Sequence, residues 1–236
     1  MAGVRLGARL EAVASLAGTC VSVADIGTDH AYLPLALVQR GMAERAIASD
    51  RNPGPCEAAR RSVDAAGEGH RVEIRLGDGI SVLAPGEAET ICIAGMGGAQ
   101  IAHILAAVPM VLAQASRLVL QPMNRAKLLR EWVYRAGWHI EEEALAEEGW
   151  HVYEAFSACK GEQPMPSPIL LKVGPILWRE KPPLLRRHIE KLLSSAQRRA
   201  KGLARSPRSR WGSEHLAALD EILQLEEMLG WQNAKS

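Results

Sequence analysis

Three carboxylates close three successive apolar runs: Asp25 in Val23-Ala24-Asp25-Ile26-Gly27, Asp50 after Ser49, and Asp78 in Leu76-Gly77-Asp78-Gly79. An acid followed two residues later by glycine, at the carboxyl end of the first strand of a doubly wound sheet, stands where such sheets bind ligands. A dinucleotide loop would continue with glycine at positions 29 and 32, but these are Asp29 and Tyr32. A carboxylate in the loop repels a diphosphate and attracts an ammonium, by roughly 4 kcal/mol at ~4 Å in a partly solvated site. The loop therefore favours the amino-acid end of S-adenosylmethionine over NAD. Asp50 stands where an acid accepts from ribose hydroxyls, or else it caps the helix that follows Asn52-Pro53. Gly77 and Gly79 let backbone approach a flat base, and Asp78 between them can accept from an exocyclic amine.

The fourth run ends Ile93-Ala94-Gly95-Met96-Gly97-Gly98 and the fifth ends Leu120-Gln121-Pro122-Met123-Asn124. Gly95, Met96 and Gly97 leave space for a ligand beside a sulfonium. The Asn/Asp-Pro-Pro-aromatic segment that holds a target amine in many amino-methyltransferases is missing, and a ring nitrogen attacking through its own lone pair would not require it. Gln121 and Pro122 offer an amide and a rigid wall to the same pocket. Arg9, ahead of the first strand, is read either as a phosphate ligand near the mouth or as a surface ion pair.

These residues need a parallel sheet to position them. Short apolar runs alternate with helical periodicities from Val21 to Ala136, which predicts βαβ units. Trp138–Ala146 and His151–Ser157 are separated by only Glu147-Glu148-Gly149-Trp150, too short for a helical crossover, so an antiparallel hairpin closes the sheet. Five parallel strands and an edge hairpin give an α/β fold of the class I, Rossmann-like methyltransferase kind. Trp132 and Trp138 read as core rather than as base-stacking residues. Six prolines in 161–183 mark a linker between a catalytic domain, 1–160, and a C-terminal helical hairpin, 184–236.

The 236 residues carry a formal charge of +1, unevenly distributed. Residues 181–210 hold ten Lys/Arg against Glu190 alone, a net +9, while 1–180 and 211–236 each carry −4. Five acids in 211–236 cannot neutralise ten bases, so a surplus including Arg186, Arg187, Arg198 and Arg199 should face outward and suit a phosphate backbone. Cys20, Cys56, Cys92 and Cys159 have no metal-ligand spacing and read as buried thiols in a reducing cytoplasm. Ile91 to Ser116 lacks charge, but its glycines, Pro109 and His103 read as strand, turn and helix, so no membrane span is expected.

Taken together, Ala24-Asp25-Ile26-Gly27-x-Asp29-His30-Ala31-Tyr32-Leu33-Pro34, Gly77-Asp78-Gly79, Ala94-Gly95-Met96-Gly97-Gly98 with Ile101-Ala102-His103-Ile104-Leu105, Leu120-Gln121-Pro122 and Arg130-Glu131-Trp132 resemble the bacterial TrmK family. The resemblance runs from Arg9-Leu10 to about Gly174-Pro175, is looser in the tail, and departs at Thr28, where related chains often have Ser. It implies S-adenosylmethionine-dependent methylation of adenine N1 at position 22 of tRNA, by a Rossmann-like domain with a coiled-coil-like helical domain. On this reading Asp29 accepts from the adenine amine, or else caps the next helix, and His30 and Tyr32 stack on or hydrogen-bond the base. No metal is implied, and a monomer is expected. The other readings are a methyltransferase acting on a different RNA or a small molecule, and a non-catalytic RNA-binding protein on the same fold.

Overall fold

The computed structural model describes residues 3–205 and 212–231. The chain divides into two compact units, Met1–Met165 and Pro166–Ser236. The first contains α1 (Ala8–Ala17), β1 (Cys20–Ile26), α2 (Tyr32–Gln39), β2 (Ala43–Asp50), α3 (Pro53–Ala66), β3 (Val72–Leu76), β4 (Thr90–Gly97), α4 (Gly98–Ala106), α5 (Pro109–Gln114), β5 (Arg117–Asn124), α6 (Ala126–Arg135), β6 (Trp138–Glu148) and β7 (His151–Lys160). The sheet order is β3-β2-β1-β4-β5-β7-β6, with the first five strands parallel and β7 inserted antiparallel between β5 and β6. This is the class I methyltransferase arrangement expected from the alternation of runs.

Burial explains the pattern of the strands. Ile91, Cys92 and Ile93 of β4 and Leu118, Val119 and Leu120 of β5 are all 0% exposed, as expected of parallel strands covered on both faces. Helix α3 buries Cys56, Ala59 and Val63 at i, i+3 and i+7 and exposes Arg60 and Arg61. Trp138 is buried and Trp132 half-buried, in keeping with their reading as core. Cys20, Cys56 and Cys92 are buried and all four thiols are free.

The hairpin is longer than the sequence pattern indicates, and its length matters. Leu120 pairs with Phe156, so residues 155 back to 151 run past that pairing toward the carboxyl end of β5. The turn at Gly149-Trp150 is thereby carried to the same side of the sheet as the ends of β1 to β4. Arg130 of α6 fixes the hairpin from below. It is fully buried, 2.7 Å from both Glu143 of β6 and Glu154 of β7, with its guanidinium 5.3 Å from the Phe156 ring centre. Two acids offset the cost of burying that charge.

The second unit contains α7 (Pro168–Val173), α8 (Pro175–Glu180), α9 (Leu185–Ala204) and α10 (Ser213–Gly230). The proline-rich stretch expected as a linker thus holds two short helices. Both begin with proline at the first helical position, where the missing N–H removes no helical hydrogen bond. Helices α9 and α10 pack on each other, burying Leu185, Ile189, Ala196 and Ala200 of one and Ala218, Leu225 and Met228 of the other. Among the described residues no helix is long and apolar enough to cross a membrane.

Candidate active site

Asp25, the next-to-last residue of β1, is only 7% exposed. Burial pushes its carboxyl up to about 6, against a hydrogen bond from the Thr28 hydroxyl and the charge of Arg9, which pull it down. Thr28 Oγ1 also accepts from the Ala31 N–H at 3.1 Å, so threonine supplies the hydroxyl that serine would. The N–H groups of Gly27 and Thr28 both donate to the Ser49 carbonyl at 2.8 Å, which ties the loop after β1 to the end of β2. Gly27 has φ +82, and a β-carbon there would collide with Met96 Cε.

Asp50 closes the turn ahead of α3 without capping the helix, at whose start Asn52 stands with no side-chain cap. Its Oδ1 accepts from the Asn52 N–H at 2.7 Å and from Asn52 Nδ2 at 3.0 Å, closing the turn into α3. No hydrogen bond engages Oδ2 among the described residues. Gly27, Asp50, Asp78, Gly79 and Met96 line one crevice of about 50 Å³. The crevice shares Arg51, Asp78, Gly79, Gln100 and Ile104 with a cleft of about 430 Å³ that His103 and Ala107 complete. Arg51, Gln100, His103 and Ile104 were not among the site residues expected from the sequence, although His103 and Ile104 stand in a segment that carries the family resemblance. Their signal is the i, i+3, i+4, i+7 spacing of Gln100, His103, Ile104 and Ala107, which puts one face of α4 on the cleft.

The glycines at the end of β4 and the start of α4 do work beyond that expected. A β-carbon at Gly98 would lie 2.6 Å from the Arg125 carbonyl oxygen, and one at Gly97 would lie 3.1 Å from Asn124 Oδ1. These two let the ends of β4 and β5 approach each other. Gly95 is held from the other side. Gln121, fully buried, accepts through Oε1 from the Gly95 N–H at 3.0 Å and from Arg9 Nη1 at 2.8 Å, and its Nε2 donates to the Pro122 carbonyl at 3.1 Å. Arg9 is therefore held by a neutral amide and not by an acid, and its charge is not neutralised at that contact. Its own N–H donates to Glu148 Oε1 at 2.8 Å, and its guanidinium carbon lies 5.9 Å from the Tyr153 ring centre. Gln121→Leu would orphan the Gly95 N–H and is expected to cost about 1–3 kcal/mol, read as a lower midpoint in thermal unfolding. An unchanged midpoint would show that the amide pins nothing.

Asp29 projects from the loop with its side chain 80% exposed, 3.5 Å from His30 Nε2. His30 stacks on Tyr32 with ring centres 5.1 Å apart. The residue before α2 is Ala31 and no side chain caps that helix, so the capping alternative for Asp29 does not hold.

The sequence profile of the TrmK family, described as tRNA (adenine(22)-N(1))-methyltransferase, matches residues 23–227. The chain belongs to the TrmK family. A tRNA (adenine(22)-N(1))-methyltransferase of Bacillus subtilis (strain 168) is 39% identical over 183 residues, covering 75% of this chain and 77% of the relative. The crystal structure of the B. subtilis m1A22 tRNA methyltransferase TrmK superposes with a TM-score of 0.87 at 33% identity, covering 96% of this chain and 99% of that one. A Streptococcus pneumoniae protein, described as a candidate tRNA (m1A22) methyltransferase and crystallised with S-adenosyl-L-methionine, gives a TM-score of 0.84 at 33% identity, covering 95% and 100%. The chain is accordingly an S-adenosylmethionine-dependent enzyme that methylates N1 of adenine 22 in tRNA.

In this TrmK-family chain the four arginines expected to hold tRNA fall into two groups. Arg186 pairs with Glu190 at 3.0 Å, and Arg199 pairs with Glu221 at 2.6 Å, an acid that also holds Lys172 at 2.6 Å. Arg187 and Arg198 share a stripe with Lys191, Lys201 and Arg205, on the side of α9 opposite Leu185, Ile189, Ala196 and Ala200. Arg208 and Arg210 lie outside the described residues.

Proposed function

We propose that Asp25, Gly27, Asp50, Asp78, Gly79, Gly95, Met96 and Gly97 hold S-adenosylmethionine, with Arg51, Gln100 and His103 completing its base end. The observation that carries this reading is the gathering of Gly27, Asp50, Asp78, Gly79 and Met96 into one crevice. Its chemistry fits the cofactor: Asp25 and the Gly27 loop suit an ammonium, Asp50 Oδ2 a diol, and Asp78 with the α4 face an aminopurine. When bound, the cofactor supplies an electrophilic methyl group. Adenine N1 carries its own lone pair, so the protein needs no strong base and must instead extract and align the ring. Asp29 accepts from the adenine N6–H, which raises N1 nucleophilicity and stabilises the cation left on the ring. His30 and Tyr32 stack on the extruded base, with Arg9, Gln121 and Pro122 forming the opposite wall. The basic stripe of α9 grips the phosphate backbone, and the protein acts as a monomer in the cytoplasm.

Transfer of labelled methyl groups to an unmodified tRNA transcript, followed by mapping of the modified base, tests the reading. Label is expected at N1 of a single adenine. Equal labelling of short oligonucleotides would favour a different substrate.

The raised Asp25 carboxyl gives a second test with a defined sign. Folded Asp25 keeps its proton up to about pH 6, against an ordinary 3.8, so this group subtracts stability as pH rises between those values. Cofactor affinity should run the other way, because the ionised form attracts the ammonium. Calorimetry should find affinity flat above about pH 6 and falling by up to about tenfold per unit below it. Asp25→Asn should bind weakly with a flat profile; a profile unchanged in this variant would remove Asp25 from the cofactor site.

A further inference from the structure

The turn of the β6–β7 hairpin places Trp150 at its tip, 91% exposed. A tryptophan so exposed buries almost none of its apolar area and adds little to the fold. Behind it, His151 stacks on Tyr153 with ring centres 5.9 Å apart and planes 22° from parallel. Tyr153 in turn lies under the Arg9 guanidinium, whose Nη1 donates to the same Gln121 oxygen that holds Gly95. A continuous line of contacts therefore runs from His151, beside the hairpin tip, to Gly95 near the end of β4. Glu148, the acid beside the turn, is directed back onto α1 by the Arg9 N–H. None of Trp150, His151 and Tyr153 is used in the mechanism above.

We propose that the hairpin tip is a second stacking platform for the tRNA, on which Trp150 and the His151–Tyr153 pair receive bases next to the target adenine. This rests on the reading of the chain as a tRNA methyltransferase. Extracting one base from its stack leaves its neighbours with exposed faces, and aromatic side chains are the protein surfaces that cover such faces without selecting a base. The occupant is taken to be unpaired RNA because the platform is continuous with the mouth into which the RNA substrate must reach. The cation over Tyr153 also adds attraction for the adjacent phosphates.

The test compares wild type, Trp150→Ala and Trp150→Phe as full chains, with unmodified tRNA transcript as probe. Trp150→Ala is expected to raise KM and the dissociation constant for tRNA about tenfold. Its kcat and its calorimetric affinity for S-adenosylmethionine should stay within about twofold of wild type. Trp150→Phe is expected to bring KM back to within about threefold of wild type. The same variant should lose much of the tryptophan fluorescence quenching that tRNA produces in wild type, because phenylalanine stacks but does not report. Unchanged tRNA affinity in Trp150→Ala, or failure of phenylalanine to restore it, would overturn the platform while leaving the activity intact. A wild-type protein that binds no tRNA would overturn both readings together.

Discussion

Asp29→Asn is expected to bind S-adenosylmethionine within about threefold of wild type and to lose roughly 10²- to 10³-fold in single-turnover methylation of tRNA. The substitution keeps size and the ability to accept a hydrogen bond, and it removes the negative charge. That charge is what opposes the cation created when N1 gains a methyl group, and removal of one oriented transition-state partner typically costs a factor of this size. Asp29 neither caps α2 nor is buried, so a loss of turnover cannot be assigned to a weakened fold. Its exposure also sets when it acts. In water the attraction is weak, and it gains strength once a base is seated on the loop and water leaves. The loss should therefore appear in kcat rather than in the tRNA dissociation constant. Turnover within about threefold of wild type would assign the stabilisation to another group.

The strand-end acids were legible in the sequence because a parallel sheet brings the ends of successive strands to one edge, and the alternation of runs already orders the strands. Asp50 and Asp78 line one crevice, as that edge predicts, while Asp25 lies outside its lining. The α4 residues were harder to find. Gln100 and His103 show helical spacing, but only the fold tells which face of α4 covers the cleft. The Arg9 contacts were out of reach, since Arg9 and Gln121 are 112 residues apart and nothing local in either segment selects the other. The helices α7 and α8 were hidden for a different reason. Proline density suggests broken structure, but at the first helical position proline is compatible with a helix, and a count of prolines does not distinguish the two.

The charge of α9 was legible as a total and not as an arrangement, and the arrangement gives the second large effect. Arg187, Lys191, Arg198, Lys201 and Arg205 follow i, i+4, i+11, i+14 and i+18, a spacing that keeps all five on one face over about 27 Å of helix. Leu185, Ile189, Ala196 and Ala200 occupy the opposite face, which leaves Lys191, Arg198, Lys201 and Arg205 exposed and Arg187 half-buried. Arg186 and Arg199 lie toward its flanks and spend their charge on Glu190 and Glu221. Changing the five stripe residues to Gln should therefore weaken tRNA binding roughly a hundredfold or more at low salt. It should also flatten the plot of log affinity against log salt by about 3.5–4.5 units, since each phosphate contact contributes about 0.7–0.9. S-adenosylmethionine affinity should not move. The pair Arg186→Gln with Arg199→Gln, which removes comparable charge per residue but acts on ion-paired groups, should change the slope by less than about 1. A salt dependence that falls equally in proportion to charge removed, whichever residues are changed, would mean that total charge and not the stripe determines binding.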